Sequence, residues 1–123
     1  MAGNIPNVLE RLVIPTGESV FRDGEPGECA YVVQNGLIEI VKGFTGEEVV
    51  LGVVEKGGIF GEMALIDNQP RMASARAAAP STLIVITRPA FQKKLSRCDP
   101  FVKGLLGIFA KNIRRMADEK MAG

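Results

Sequence analysis

The chain has 123 residues, 46% of them hydrophobic and 24% charged, and its 15 basic and 14 acidic side chains give a formal net charge of +1. That length supports one core rather than two, and the charge balance supplies no field to draw the protein onto nucleic acid or an anionic membrane. No apolar run reaches the ~18 residues a spanning helix needs, and histidine, the commonest general base and metal ligand, is absent.

The expectation is therefore a single domain over residues 1–123, with no cofactor, no metal and no enzymatic activity. The N-terminal run 1–13, MAGNIPNVLERLV, lacks the basic segment and apolar core of a signal peptide, so cytoplasmic residence is expected. Cys29 and Cys98 lie far apart without CxxC spacing, which suits two incidental thiols better than a zinc or iron–sulfur site.

From about Glu18 to Ile86 the sequence alternates short β-branched runs with glycine-rich turns, the pattern of a compact antiparallel sandwich or barrel. Ser19 to Arg22 reads as a first strand. Residues 23–28, DGEPGE, then supply a proline and two glycines for a reversal, and Cys29 to Gln34 follows as a second strand. Asn35-Gly36 separates YVVQ from LIEIV by two residues, which predicts a type I′ hairpin with both central residues at positive φ. A turn at Gly43 to Gly46 leads into EEVVLGVV, ended by Lys56-Gly57-Gly58. Ala73 to Ala77 and Thr82 to Ile86 complete the strands. Together these runs predict such a sandwich or barrel over about residues 14–87.

Residues 59–71, IFGEMALIDNQPR, predict one helical turn embedded in a loop. C-terminal helices are expected over about 88–118. Thr87 is a candidate N-cap for a short helix over Pro89 to Ser96, with the proline in the first turn. From Pro100 the apolar residues Phe101, Val102, Leu105, Leu106, Ile108, Phe109, Ile113 and Met116 recur at helical spacing. So wide a face suits either a core helix docked on the roll or, in addition, a partner helix from a second subunit, and a homodimer through this helix is the preferred expectation. Lys111, Arg114, Arg115 and Lys120 gather near its end, where cations complement the helix dipole.

The chemistry lies between Gly58 and Ala77. Gly57, Gly58 and Gly61 let backbone approach a ligand, and a turn opening at Gly61 offers unpaired N–H groups to an anion. Arg71, ten residues on and heading the next strand, can fold back over those amides. Glu62 is a poor neighbour for a phosphate but a good acceptor for a ribose hydroxyl. A sugar phosphate satisfies both charges. The alternative is a structural Glu62–Arg71 ion pair with no ligand at all, and spacing alone weighs the two equally.

Residues 60–77, FGEMALIDNQPRMASARA, resemble the phosphate-binding cassette of the cyclic nucleotide-binding domain family, whose pattern is FGE-L-A-L followed by P-R-x-A. Met63 in place of leucine is the one mild departure. Residues 20–41, VFRDGEPGECAYVVQNGLIEIV, are similar to the family's first strands, so the likeness spans roughly residues 10–116. For the strands over about residues 14–87 it implies an antiparallel β-roll, a double-stranded jelly-roll barrel. The resemblance implies a ligand held by Gly61, Glu62, Met63, Ala64, Arg71, Met72 and Ala73. Within that set Glu62 would accept the ribose 2′-hydroxyl, Arg71 would pair with the cyclic phosphate, and the backbone N–H groups of Gly61, Ala64 and Met72 would complete the cradle. Members that prefer cyclic GMP often carry Thr or Ser after the arginine, whereas this chain has Met72, which favours cyclic AMP. A capping side chain for the purine comes, in relatives, from the last helix or a partner subunit, and Asn112, Arg115 and Met116 are the candidates. Val33, Leu51 and Ile59 are candidate apolar walls, and Ser74 and Arg76 alternate toward either pocket or solvent.

The family's transcription factors carry a DNA-binding module after this helix. The chain stops at Gly123, so the expectation is a stand-alone binder or a fragment with no direct DNA binding and no membrane association. The competing expectation is a dimeric interaction protein that keeps the fold but binds no nucleotide. A cupin-like enzyme on a similar roll would need several inward metal ligands, which a chain without histidine is ill equipped to supply.

Overall fold

In the computed structural model, residues 10–44 and 47–122 are described. Eight strands, β1 (Glu10–Ile14), β2 (Ser19–Phe21), β3 (Cys29–Asn35), β4 (Ile38–Phe44), β5 (Glu47–Val54), β6 (Ile59–Phe60), β7 (Ser74–Ala77) and β8 (Ser81–Thr87), form two four-stranded antiparallel sheets. One runs β1-β8-β3-β6 and the other β2-β7-β4-β5. Their inner faces meet in a core of Ile14, Val33, Ile38, Phe60, Ala75, Ala77 and Leu83, drawn from both sheets, which is the expected β-roll.

Strand alternation decides which side chains reach that core. In β7, Ala75 and Ala77 are buried while Ser74 and Arg76 face outward. Arg76 is spent on the outer surface, pairing with Glu39 and Glu48 at 3.2 and 2.9 Å, and Ser74 Oγ accepts from the Asp23 backbone N–H at 2.9 Å. Neither side chain faces the interior.

Two features depart from the sequence expectations. β1, absent from the sequence reading, pairs with β8 from Glu10↔Val85 to Ile14↔Ser81. Asn35-Gly36 is not a type I′ hairpin turn. β3 pairs with β6 and β8, β4 pairs with β5 and β7, and only Gly36 takes a positive φ. The dipeptide instead turns the chain from one sheet to the other. Ser81 fixes this corner by accepting the Leu37 N–H on its Oγ at 3.1 Å, and a register shift between Val33 and Asn35 ends the β3–β8 pairing there. The local signal is genuine, but the sandwich assigns the two flanking strands to different sheets.

Three helices complete the fold: α1 (Met63–Asp67), α2 (Arg88–Ser96) and α3 (Pro100–Ala122). α1 is the expected single turn and ends on Asn68 in the left-handed region at φ 55°. α2 is capped by Thr87, whose Oγ1 accepts the Ala90 N–H at 3.4 Å. α3 continues four residues past the expected end near 118. It meets the rest of the chain through its small residues, Ala110 and Ala117, and through Arg114. Its apolar face is divided: Leu105 and Leu106 are half-buried, whereas Phe101, Val102, Ile108, Phe109, Ile113 and Met116 are exposed in the single chain. No helix among the described residues is long and apolar enough to cross a membrane.

Candidate functional site

Arg71 is a cation placed inside the protein. It lies in the loop before β7 rather than heading the strand, because its backbone is held by the turn between β2 and β3: its N–H donates to Glu25 O at 2.8 Å and its carbonyl accepts from the Gly24 N–H at 2.9 Å. Its side chain is only 5% exposed. Nη1 donates to Gly61 O and Nη2 to Cys29 O, each at 2.7 Å, and the guanidinium carbon sits 3.9 Å from the centroid of the Phe21 ring. Phe21 is itself braced by Tyr31 and Phe60, with ring centroids 5.3–6.1 Å apart in the three pairings.

No carboxylate answers this charge. Among the described residues no ion pair includes Arg71, and its Nε is buried without a hydrogen-bond partner. Glu62 is in the same condition: its Oε2 is buried and unpartnered. Burial pushes the Glu62 carboxyl above its ordinary value, against the opposing pull of its own backbone N–H and of the Arg71 charge. Burial likewise lowers the pKa of Arg71. The structural Glu62–Arg71 ion pair weighed from the sequence is therefore not formed.

These groups open onto one cavity of about 200 Å³. The structure brings Gly61, Glu62, Met63, Ala64, Arg71, Met72 and Ala73 together in its lining. Gly61 is required there on two counts. Its φ is 81°, and a Cβ would stand 2.9 Å from Arg71 Nη1. At the start of α1 the Leu65 and Ile66 N–H groups donate to Glu62 O at 3.0 and 3.1 Å, which leaves those of Met63 and Ala64 without a backbone partner among the described residues.

From α3, Ile113 and Arg114 line the cavity, whereas Asn112 and Arg115 do not. Arg115 reaches Glu119 on its own helix at 3.7 Å. Met116 lies in an adjoining groove with Ile40, Leu51, Met72 and Lys120. Of the apolar walls named from the sequence, Ile59 borders the cavity, Leu51 the adjoining groove, and Val33 is core. The sequence reading missed Phe21, Ile40, Val54, Phe60, Ile113 and Arg114 as cavity residues. Phe21 and Arg114 are brought in by β2 and α3, 50 residues before and 43 after Arg71, and no local spacing signals such neighbours.

Arg114 is tied down as firmly as Arg71 is left unpaired. Its Nε donates to Asp67 Oδ2 at 2.6 Å, Nη2 to Asp67 Oδ1 at 3.0 Å and Nη1 to Pro70 O at 2.9 Å. This fork joins α3 to the end of α1 and to the residue before Arg71. No group of three or more metal-ligating side chains occurs among the described residues.

Arg71 and Glu62, each with a buried side-chain atom lacking a partner, thus line the same cavity, the arrangement that a ligand carrying both an anion and hydroxyl donors would satisfy. The model of a family described as the cyclic nucleotide-binding domain matches residues 11–98. The chain belongs to the cyclic nucleotide-binding domain family. Among its relatives, the cAMP-dependent protein kinase regulatory subunit of Emericella nidulans is 32% identical over 91 residues, 74% of this chain and 22% of the relative. The cyclic AMP receptor protein of Thermus thermophilus is 28% identical over 107 residues, 86% of this chain and 50% of the relative. Among solved structures, the cAMP-bound form of the EAL enzyme Bd1971 superposes with a TM-score of 0.85 at 34% identity, over 92% of this chain and 30% of the enzyme, and a cGMP-bound form of the same enzyme gives 0.80 at 35% identity over 85% and 28%. This cyclic nucleotide-binding domain thus spans half or less of the length of these relatives.

Proposed function

We propose that this domain binds cyclic AMP and reports its presence through α3, acting as a regulatory module without catalysis of its own. The observation that carries the reading is that Arg71 and Glu62, whose Nε and Oε2 are buried without hydrogen-bond partners, both line one cavity. A buried charge without a partner costs several kcal/mol, and a cyclic phosphate on Arg71 with a ribose hydroxyl on Glu62 relieves both. Relatives named for cyclic AMP support the same ligand.

Arg71 and the amides of Gly61, Ala64 and Met72 hold the phosphate in this reading, with Met63 and Ala73 closing the cradle. Ile113 and Arg114, together with Met116 in the adjoining groove, are the surfaces α3 offers to the base, in place of Asn112 and Arg115. Met72 supplies no hydroxyl for guanine, so cyclic AMP is preferred over cyclic GMP. α3 responds because Arg114 lines the cavity while holding Asp67 and Pro70 of the cassette, so any ligand that shifts α1 bears on α3. Cys29 and Cys98 are free thiols, which fits a reducing compartment such as the cytoplasm.

Isothermal titration with both nucleotides tests this reading. The expected result is saturable binding of each with the lower Kd for cyclic AMP. Equal or reversed affinities would overturn the base preference, and the absence of heat with both would favour a dimeric interaction protein that has kept the fold and lost the ligand.

A further inference from the structure

We propose that Arg88, which does not border the cavity, is the positioning residue that sets the phosphate site, acting on Arg71 through the backbone of Gly27. The proposal rests on the reading of Arg71 as the phosphate-binding group. Arg88 opens α2 directly after the Thr87 cap, and its own N–H donates to Glu28 O at 3.0 Å, so its side chain starts beside the β2–β3 turn. From there the guanidinium spans three segments. Nη2 donates to Gly27 O in the turn and to Ala64 O in α1 at 3.5 Å, and Nη1 donates to Asn68 Oδ1 at the left-handed end of α1 at 2.7 Å. The nearest carboxylate is the exposed Glu28, 3.9 Å from Nε.

Gly27 is the layer between the two arginines. A Cβ there would stand 2.4 Å from Ala64 Cβ, 3.1 Å from Arg71 Cζ and 3.2 Å from Arg71 Nη1, so bare backbone forms the floor under the Arg71 guanidinium. The same turn holds the Arg71 main chain through Gly24 and Glu25. Arg88 therefore grips, by the Gly27 carbonyl, the strip of backbone on which Arg71 rests and, by Ala64 and Asn68, the short helix that Glu62 precedes. A charge-assisted bond to a buried carbonyl is among the stronger hydrogen bonds a side chain makes. Without it the turn and α1 lose the link that fixes their separation, and the Arg71 guanidinium loses its fixed height above Gly61.

The test uses the intact chain with Arg88→Met, which keeps the length of the side chain and removes its donors, and with Arg88→Lys, which keeps the charge but cannot span three acceptors. Two readouts are taken: cyclic AMP affinity, and the NMR resonance of the Arg71 Nε–H in ligand-free protein. The expected result is that both variants fold, that cyclic AMP affinity falls about tenfold or more in Arg88→Met and by less in Arg88→Lys, and that the Arg71 Nε–H resonance shifts in both without nucleotide. Unchanged affinity with an unchanged resonance would overturn the proposal, as would failure of both variants to fold, which would make Arg88 a structural residue only. If the parent protein binds no cyclic AMP, the proposed function falls, and the ligand-free resonance alone then decides: a shift upholds the Arg88–Gly27–Arg71 chain and no shift overturns it.

Discussion

At the scale of single residues, the candidate site holds two ionisable groups, Glu62 and Arg71, that the protein buries without pairing them. Glu62 makes the clearer prediction because its protonation is coupled to the ligand. Burial raises its carboxyl pKa in the folded protein, so the free site takes up a proton at a pH where an exposed glutamate would have released it. In the ligand-free domain the folded state then binds more protons than the unfolded chain between the ordinary glutamate value and the raised one, and stability falls as pH rises through that window. Binding has the opposite slope. A ribose hydroxyl donates to the carboxylate, so the affinity for cyclic AMP should rise with pH through the same window, and Glu62→Gln should flatten the profile; titrations at stepped pH check both, and an unaltered slope in Glu62→Gln would assign the dependence to another group. Glu62 and Arg71 were legible in the sequence because their charges stand in a motif whose spacing is local. Phe21 was not, since its place over the guanidinium depends on β2 pairing with β7, which no nearby residue announces.

At the scale of elements, α1 and α3 act as one unit because Asp67 and Arg114 are both largely shielded and meet through two hydrogen bonds. Removing the charge of one partner leaves the other without compensation, so Asp67→Asn should separate the response of α3 from that of α1. In hydrogen-exchange measurements cyclic AMP should protect amides of both helices in the parent protein, but chiefly those of α1 in Asp67→Asn, with Kd raised about tenfold at most. Equal protection of α3 in the variant would show that the fork carries no signal. The elements themselves were largely readable: strand alternation, the Thr87 cap and the helical spacing from Pro100 all correspond to what forms. The corner at Asn35-Gly36 was misread because a two-residue turn looks the same in sequence whether its strands pair with each other or join different sheets. β1 was missed because its residues lie at the edge of the sheet, exposed except for Ile14, and so carry no alternation.

At the scale of the whole molecule, α3 leaves a seam open. Val102, Leu106, Phe109, Ile113 and Met116 recur at alternating steps of four and three, the spacing of a two-stranded coiled coil, and all but Leu106 are exposed, Met116 at 60%. A second copy of the chain pairing along this seam is the arrangement we propose for it. Light scattering should then give a dimer mass, and Phe109→Glu should return the monomer; a monomeric parent protein at tens of micromolar would set the seam aside. The dimer would not by itself prove a receptor, since an interaction protein on the same fold would share it. What distinguishes the receptor is the unpaired guanidinium. Calorimetric titration of cyclic AMP into the parent chain and into Arg71→Leu is the decisive comparison: the variant should fold and bind more weakly by ~2–5 kcal/mol, as expected when a buried charge pair loses one member. An unchanged dissociation constant in Arg71→Leu would place the phosphate elsewhere and contradict its pairing with Arg71.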